Sequence, residues 1–336
     1  MFVSPFFRRA ARALVLAMLA LSVTACGGGG SLEDDEVADG PEEVIAGNRP
    51  PLAPVLTIAP ATTYADNRAQ AFTVLNTERL AAGVGALRQD SALDAASSAH
   101  SAYMKANGTT SSQEVLGNPG FTGANMTDRV LAAGWQLNPA YLTEQIRAES
   151  ATPREAVMAM LASVYKRAEL LDHRASVAGM SPIAAAGDLF VSMLGVPNGG
   201  TAQGFVGADV DRKIPEHSVY PAQGALNVPR AIQPRKPAVV NDPIWGTGYP
   251  VSIQFHSQAS YEITSFNLVD KTTNQRVPGA VRTKYNDSWL QAAYRHFAFF
   301  VPDQPLLPGR TYEAQVIAEV YGKPFTKIWS FTTAAN

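Results

Sequence analysis

The feature that most limits the fold is a change of texture near Gly199–Gly204. Ahead of it, apolar residues recur at helical spacing. Beyond it no long helical period is present. Val251–Phe255, Ile263–Val269, Ala293–Val301, Tyr312–Val320 and Lys327–Thr332 are instead short runs rich in β-branched and aromatic residues. Gly, Pro, Asn and Asp separate them, which is the pattern of strands joined by turns. The chain of 336 residues therefore reads as two unlike folded parts. Residues 62–198 form an α+β domain, with helices around a small sheet. Residues 216–336 form an all-β sandwich of immunoglobulin or fibronectin type.

In the first part, Tyr64–Ala82 reads as an amphipathic helix with Ala71, Val74, Leu75 and Leu80 toward the core, stopped by Gly83 and Gly85. Asp90–Lys105 reads as a second helix, capped by Asp90 or Ser91. Leu93, Ala96, His100 and Tyr103 share one face of it, so His100 points with the apolar side chains. Thr127–Ala133 is a short third helix. Tyr141–Arg147, Val177–Met180 and Leu189–Leu194 read as strands. Thr152-Pro153-Arg154-Glu155 has the form of a capping box with proline at the first helical position. The helix it starts carries Val157, Met160, Leu161, Val164 and Leu171 on one face. Within this part, Ala95–Gly123 is the stretch best suited to chemistry. It leaves the second helix at Asn107-Gly108, crosses a Ser/Thr run and turns through a Gly/Pro loop, with His100, Lys105 and Glu114 as its charged or chargeable groups.

The N-terminus reads as a targeting segment. Arg8, Arg9 and Arg12 precede an apolar run, Ala13 to Val23, too short to span a bilayer. Val23-Thr24-Ala25-Cys26 then resembles a bacterial lipobox, with cleavage after residue 25 and lipidation of Cys26, the single cysteine of the chain. Two or more acyl chains on that residue give stable membrane anchoring. Gly27 rather than Asp at the next position resembles lipoproteins sorted to an outer membrane, which implies an anchored protein facing the periplasm or the cell surface. Residues 26–61 are an acidic Pro/Gly linker, too poor in apolar residues to fold. A lone cysteine excludes an internal disulfide and a thiolate zinc site. A net charge of -2 leaves no basic excess to neutralise phosphates, so no nucleic-acid partner is expected.

Several motifs then occur in order: Leu75-Asn76-x-x-Arg79, His100-Ser101-x-Tyr103-Met104, Pro119-Gly120-Phe121-Thr122-Gly123, Arg129-x-x-x-x-Gly134-Trp135, Thr143-Glu144-Gln145-Ile146 and Ser163-Val164-Tyr165-Lys166-Arg167. Their order and spacing resemble the bacterial branch of the CAP superfamily, the cysteine-rich secretory, antigen 5 and pathogenesis-related proteins. The C-terminal part, through Gly248-Tyr249-Pro250-Val251 and Pro305-Leu306-Leu307-Pro308-Gly309, resembles the immunoglobulin-like domain that follows some bacterial CAP domains.

The resemblance implies an α-β-α sandwich with a cleft whose His and Glu side chains can hold a divalent metal, often zinc. Glu144 corresponds to the family's glutamate, and Glu114 fits a carboxylate found just after the first family histidine. Ser112 and Lys166 stand where the two histidines are expected. His100 lies outside the ligand positions and reads as a core imidazole hydrogen-bonded to backbone or to a carboxylate. With both family imidazoles replaced, zinc is disfavoured and no cofactor is expected. Lys166 is expected to pair with Glu144 in place of the metal charge. His173 reads as an imidazolium at a helix C-terminus, and His217, His256 and His296 as surface residues of the β part. No Gly-x-Ser-x-Gly elbow, His-Glu-x-x-His or P-loop is present. The function this implies is a ligand-binding or structural module with a lipid, small molecule or envelope polymer as partner. The alternative is a hydrolase acting on peptide or envelope polymer through the cleft.

Overall fold

In the computed structural model the described residues are 54–148, 150–185, 188–197, 210–213, 217–232, 248–257 and 259–335. The targeting segment and nearly all of the linker, Cys26 included, lie outside them. The first part contains β1 (Pro54–Leu56), α1 (Arg68–Ala82), β2 (Arg88–Gln89), α2 (Ser91–Asn107), α3 (Met126–Ala132), β3 (Leu137–Arg147), α4 (Pro153–Leu161), α5 (Val164–Leu170), β4 (Val177–Met180) and β5 (Phe190–Pro197). A short β6 (Val210–Lys213) pairs antiparallel with β1. The β part follows with β7 (His217–Tyr220), β8 (Ala225–Val228), β9 (Val251–Phe255), β10 (Tyr261–Asp270), β11 (Gln275–Arg276) and β12 (Gly279–Arg282). It ends with α6 (Ser288–Ala293), β13 (Phe297–Pro302), β14 (Thr311–Val320) and β15 (Lys323–Thr333).

The first sheet has the order β2-β4-β5-β3, with β2 parallel to β4 and the other pairs antiparallel. Side chains alternate across a strand, and here both faces are buried. Leu93, Tyr103, Met104 and Val130 pack with Val177, Val191 and Met193 on the face covered by α2 and α3. Phe72, Leu75, Val157 and Met160 pack with Ala178, Phe190, Leu194 and Val196 on the face covered by α1 and α4. That gives three layers, helix–sheet–helix. The approach of α2 to β4 is so close that a Cβ on Gly179 would stand 2.2 Å from backbone atoms of Leu93 and Asp94.

Local chemistry sets most boundaries. Asp90 accepts from the N–H groups of Ala92 and Leu93, both at 3.0 Å, and starts α2. Gly108, at φ 60°, ends it. Three expectations differ from the structure. Helix α1 starts at Arg68, not Tyr64, because the Tyr64 hydroxyl turns inward to hydrogen-bond Asp94 on α2. The long helix expected after Thr152 is two helices, α4 and α5. Ser163 between them is extended, and Arg167 folds back to donate to the Leu161 carbonyl at 2.6 Å. Ala293 closes α6 instead of opening a strand, since Asp287 caps a helical turn at Trp289 and Leu290.

The β part consists of two sheets, ordered β11-β10-β14-β15-β8 and β12-β13-β9-β7. Their inner faces meet through aromatic rings, with Phe266 against Phe300 and Phe255 against Tyr261 at centroid distances of 5.9 and 4.6 Å. One hydrophobic core runs through both parts, from Phe72 and Val157 to Tyr249, Phe297 and Trp329. All of it lies in a single compact unit, residues 49–336. Among the described residues no helix is long and apolar enough to cross a membrane.

Arg79, fully buried on α1, holds the first part together at the end nearest the β part. Its guanidinium donates to the carbonyls of Gly85, Leu170, Asp172 and Ala175 at 2.7 to 3.2 Å, tying the turn after α1 to the turn after α5. Desolvation lowers its pKa to about 10, and it has no directly bound carboxylate to offset that cost. Replacing Arg79 by Leu leaves these carbonyls without a donor in the core. The expected loss is at least about 3 kcal/mol of unfolding free energy, measured by urea denaturation followed by circular dichroism.

Candidate functional site

The loop after α2 folds back over the helix that precedes it. Thr109 and Ser111 accept from the backbone N–H groups of Ser111 and Gln113 and shape the Ser/Thr run into turns. The Glu114 N–H then donates to the Ala124 carbonyl at 3.1 Å, and the Tyr103 hydroxyl accepts from Val115 N–H at 2.8 Å. Gly123 has no room for a side chain, because a Cβ there would lie 2.6 Å from the Arg129 nitrogen. This contact presses the start of α3 onto the loop and directs Arg129 inward.

Four ionisable side chains meet beneath the loop. His100 Nδ1 and Glu114 Oε1 are 2.8 Å apart. Glu114 Oε2 accepts from the Thr122 N–H at 2.6 Å and the Gly123 N–H at 3.2 Å. Arg129 Nη2 contacts both oxygens of Glu144, at 2.7 and 2.8 Å, and Arg129 Nε is 4.0 Å from Glu114 Oε1. The guanidinium thus stands between the two carboxylates. His100 Nε2 faces Glu144 Oε2 at 4.0 Å without a hydrogen-bond partner. None of the four side chains exceeds 5% exposure. Burial pushes the Glu114 carboxyl up, but the Thr122 N–H, His100 and the Gly123 N–H outweigh it and hold the group below its ordinary value.

The residues singled out from the sequence separate into two groups. His100, Glu114 and Glu144 come together. Ser112 and Lys166 do not join them. Ser112 is exposed on the loop. Lys166 binds Glu169 at 3.2 Å, one turn along α5. The pair expected between Lys166 and Glu144 is therefore replaced by Arg129–Glu144. The physical reason is reach: α3 lies on the same face of the sheet as α2, whereas α5 packs into the core cluster of the opposite face. Arg129 was visible in the sequence only as a motif residue. Its signal was an arginine three residues into a short helix whose neighbours pack into the core.

This donor set does not fit zinc. A structural or catalytic zinc takes three or four deprotonated ligands. Both oxygens of Glu144 are held by Arg129, both oxygens of Glu114 by His100 and backbone N–H groups, and the guanidinium already supplies the positive charge. His100 Nε2 is the single ligand-type atom of the cluster with no partner.

Outside this cluster an open groove of about 500 Å³ runs along the C-terminal end of α2. Met104, Thr109, Ala148, Ser150 and Leu189 line it, and the ion pair of Lys105 with Asp188 crosses one wall. The Lys105 hydrogen bond holds the Asp188 carboxyl below its ordinary value.

A second buried cluster differs from expectation. His173, His256 and His296 are 3%, 1% and 3% exposed, so neither of the last two is a surface residue, and His173 does not sit as a charged helix cap. They lie where α5 meets the β part. Asp172, His173 and His296 bring ligand-type atoms within 4.8 Å of one another. Arg174, however, occupies both oxygens of Asp172 at 2.6 to 3.1 Å, and His173 Nε2 accepts from the Ser257 N–H. A metal-bound histidine donates through its second nitrogen, so these groups form a hydrogen-bonded joint.

Arg129→Met strands the Glu144 carboxylate in the core and is expected to cost about 3–5 kcal/mol. The double variant Arg129→Met, Glu144→Leu is expected to recover part of that loss, giving a measurable coupling in a denaturation cycle. Lys166→Ala, which takes the partner from the buried Glu169 but leaves Glu144 with Arg129, is expected to cost less than Arg129→Met in the same denaturation measurement.

No curated protein matches the chain. Among solved structures, an extracellular protein containing a SCP domain from Bacillus anthracis str. Ames is 21% identical, with 41% of this chain and 44% of that chain covered and a TM-score of 0.33. An outer surface protein from Borrelia burgdorferi is 14% identical, with 42% of this chain and 100% of that chain covered and a TM-score of 0.33. The chain thus spans under half the length of the first of these. Residues 72–188, which carry most of α1, then α2 through α5, β4 and the whole His100–Glu144 cluster, match the cysteine-rich secretory protein family, CAP.

Proposed function

We propose that this chain is an extracytoplasmic CAP-type lipoprotein that works by binding, with its buried ionic cluster serving structure. The observation that carries this reading is the position of Arg129. A guanidinium between Glu114 and Glu144 supplies the charge that a bound cation would otherwise supply, and the side chains around it are closed to solvent. General acid–base chemistry needs a group within hydrogen-bond reach of a substrate. The hydrolase alternative has no such group in this cluster, because His100 is fully buried.

The surface above the cluster suits contact with a ligand. Val115 and Leu116 are exposed, at 61% and 81%, on a loop held by Glu114 and Tyr103. The groove beside it combines apolar walls with the Lys105–Asp188 pair. A few placed polar groups on an apolar wall are the usual make-up of a small-ligand site. We read the partner as a lipid, a small molecule or an envelope polymer. The two-sheet part is read as an immunoglobulin-like spacer, and Cys26 as a lipid anchor to an outer membrane.

Three measurements test this. Purified protein is expected to contain no stoichiometric zinc by elemental analysis, and its melting temperature is expected to be unchanged by a chelator. Tightly bound zinc at one per chain that is lost in Glu144→Gln would overturn the reading. Full chain expressed in a Gram-negative host is expected to incorporate labelled palmitate, and Cys26→Ala to abolish it. Purified soluble chain is expected to co-sediment with isolated peptidoglycan or anionic vesicles without releasing soluble fragments, and Leu116→Asp to weaken that binding. Fragment release that depends on Glu144 would favour the hydrolase.

A further inference from the structure

The joint between α5 and the β part concentrates three of the five histidines of the chain. The ring of His173 lies 5.5 Å from that of His256 and 5.3 Å from that of His296, centroid to centroid. Its hydrogen bonds define one protonation state. The Nε2 atom accepts from the Ser257 N–H at 3.3 Å, so the ring proton is on Nδ1. That N–H points to the Gln254 side chain at 2.7 Å. With its amide oxygen toward His173, Gln254 also accepts from the His173 backbone N–H at 3.1 Å and from His296 Nε2 at 3.3 Å. Its nitrogen then donates to the Leu171 carbonyl at 3.0 Å. The bonds of Leu171 and His173 cross from the α5–β4 connection to Gln254 on β9 and to Ser257 just beyond it, and the Gln254–His296 bond joins β9 to the start of β13.

A second proton on His173 has no acceptor. It would sit on Nε2 and face the Ser257 N–H, donor against donor. The charged groups nearby do not help. Asp172 is the nearby carboxylate, and Arg174 and His296 already take its oxygens. Arg174, stacked over Tyr141 and Tyr294, adds positive charge, and His256 and His296 are themselves protonatable. Glu169, also buried, is bound to Lys166, and burial pushes its carboxyl up. The opposite end of the joint is held by other groups, and its carboxylate, Glu78, accepts from the Tyr220 hydroxyl at 3.1 Å. There Arg167 donates to the Pro250 carbonyl and lies 4.7 Å from the ring centres of both Tyr220 and Tyr249.

We propose that this joint is an acid-operated latch: protonation of His173 releases the end built on Gln254 and Ser257, while the Arg167 end stays closed and acts as the hinge. Burial holds His173 and His296 below the ordinary imidazole value, with Asp172 opposing it in both. The sign follows from linkage. Neutral, buried imidazoles contribute stability that is full above about pH 6.5 and is lost as pH falls toward their value in the closed joint.

The test is amide hydrogen exchange on the soluble chain from pH 7.5 to 5.0, corrected for intrinsic rates. Below about pH 6.5 the opening constant at Phe255, Ser257 and Phe297 is expected to rise about tenfold per pH unit for each imidazole that takes a proton. Amides of α2, β5 and Ser252 are expected to keep their protection. His173→Gln, which keeps a hydrogen-bonding amide but does not titrate, is expected to reduce that pH dependence. If that variant does not fold, imidazole NMR on the unchanged protein decides the matter. His173 titrating near pH 6.5 while Ser257 stays protected overturns the latch, as does an equal loss of protection throughout both parts.

Discussion

A guanidinium taken out of water needs acceptors inside the protein, and Arg79, Arg129 and Arg167 find most of theirs in three ways. Arg79 uses carbonyls alone, and so fixes the two turns that supply them. Arg129 uses the carboxylates of Glu144 and, at longer range, Glu114, and so fixes the loop over α2 to α3 and β3. Arg167 uses the Leu161 and Pro250 carbonyls and two tyrosine faces, and so fixes the β part to α5. Each is among the largest fully buried side chains of the molecule. An apolar residue at any of the three positions would fill space but leave oriented acceptors behind.

The same constraint bears on function. A cleft that holds a metal keeps ligand atoms unshared and a path to solvent. Here the corresponding acids are spent on an internal cation, on His100 and on backbone N–H groups. What remains outward is a loop of fixed shape, with Val115 and Leu116 at its exposed part and a groove beside it. Binding through a rigid, pre-shaped surface loses less conformational entropy than binding through a mobile one. The ionic cluster is the support that gives the loop its shape.

The histidine joint follows a related logic with weaker groups. An arginine stays charged at any pH a protein meets, so the Arg167 contact is permanent. A buried imidazole is held neutral by its surroundings, and it is the kind of side chain that acid can recharge. Placing the two kinds of contact at opposite ends of one seam makes the seam asymmetric.

Much of the architecture was legible in the sequence. The α2 boundaries were readable because Asp90 and Gly108 act locally, and the strands of the β part because alternation and β-branching act over a few residues. Helix α1 was read four residues too long, since Tyr64 bonds a residue thirty positions away. The single helix read after Thr152 was divided for a similar reason: the carbonyl freed at the break is matched by Arg167.

The site was legible as a set of residues but not as a set of partners. His100, Glu114 and Glu144 were recoverable from motif and spacing. That Glu144 faces Arg129 and not Lys166 depends on which face of the sheet each helix covers. The three joint histidines, at 173, 256 and 296, are remote in sequence and carry no shared pattern. What the sequence alone determined was most of the secondary structure and the break at Asn107-Gly108, because these depend on short-range backbone and capping forces. Only the tertiary structure decided which cation neutralises Glu144 and which histidines are buried, because both are set by packing between elements far apart in the chain.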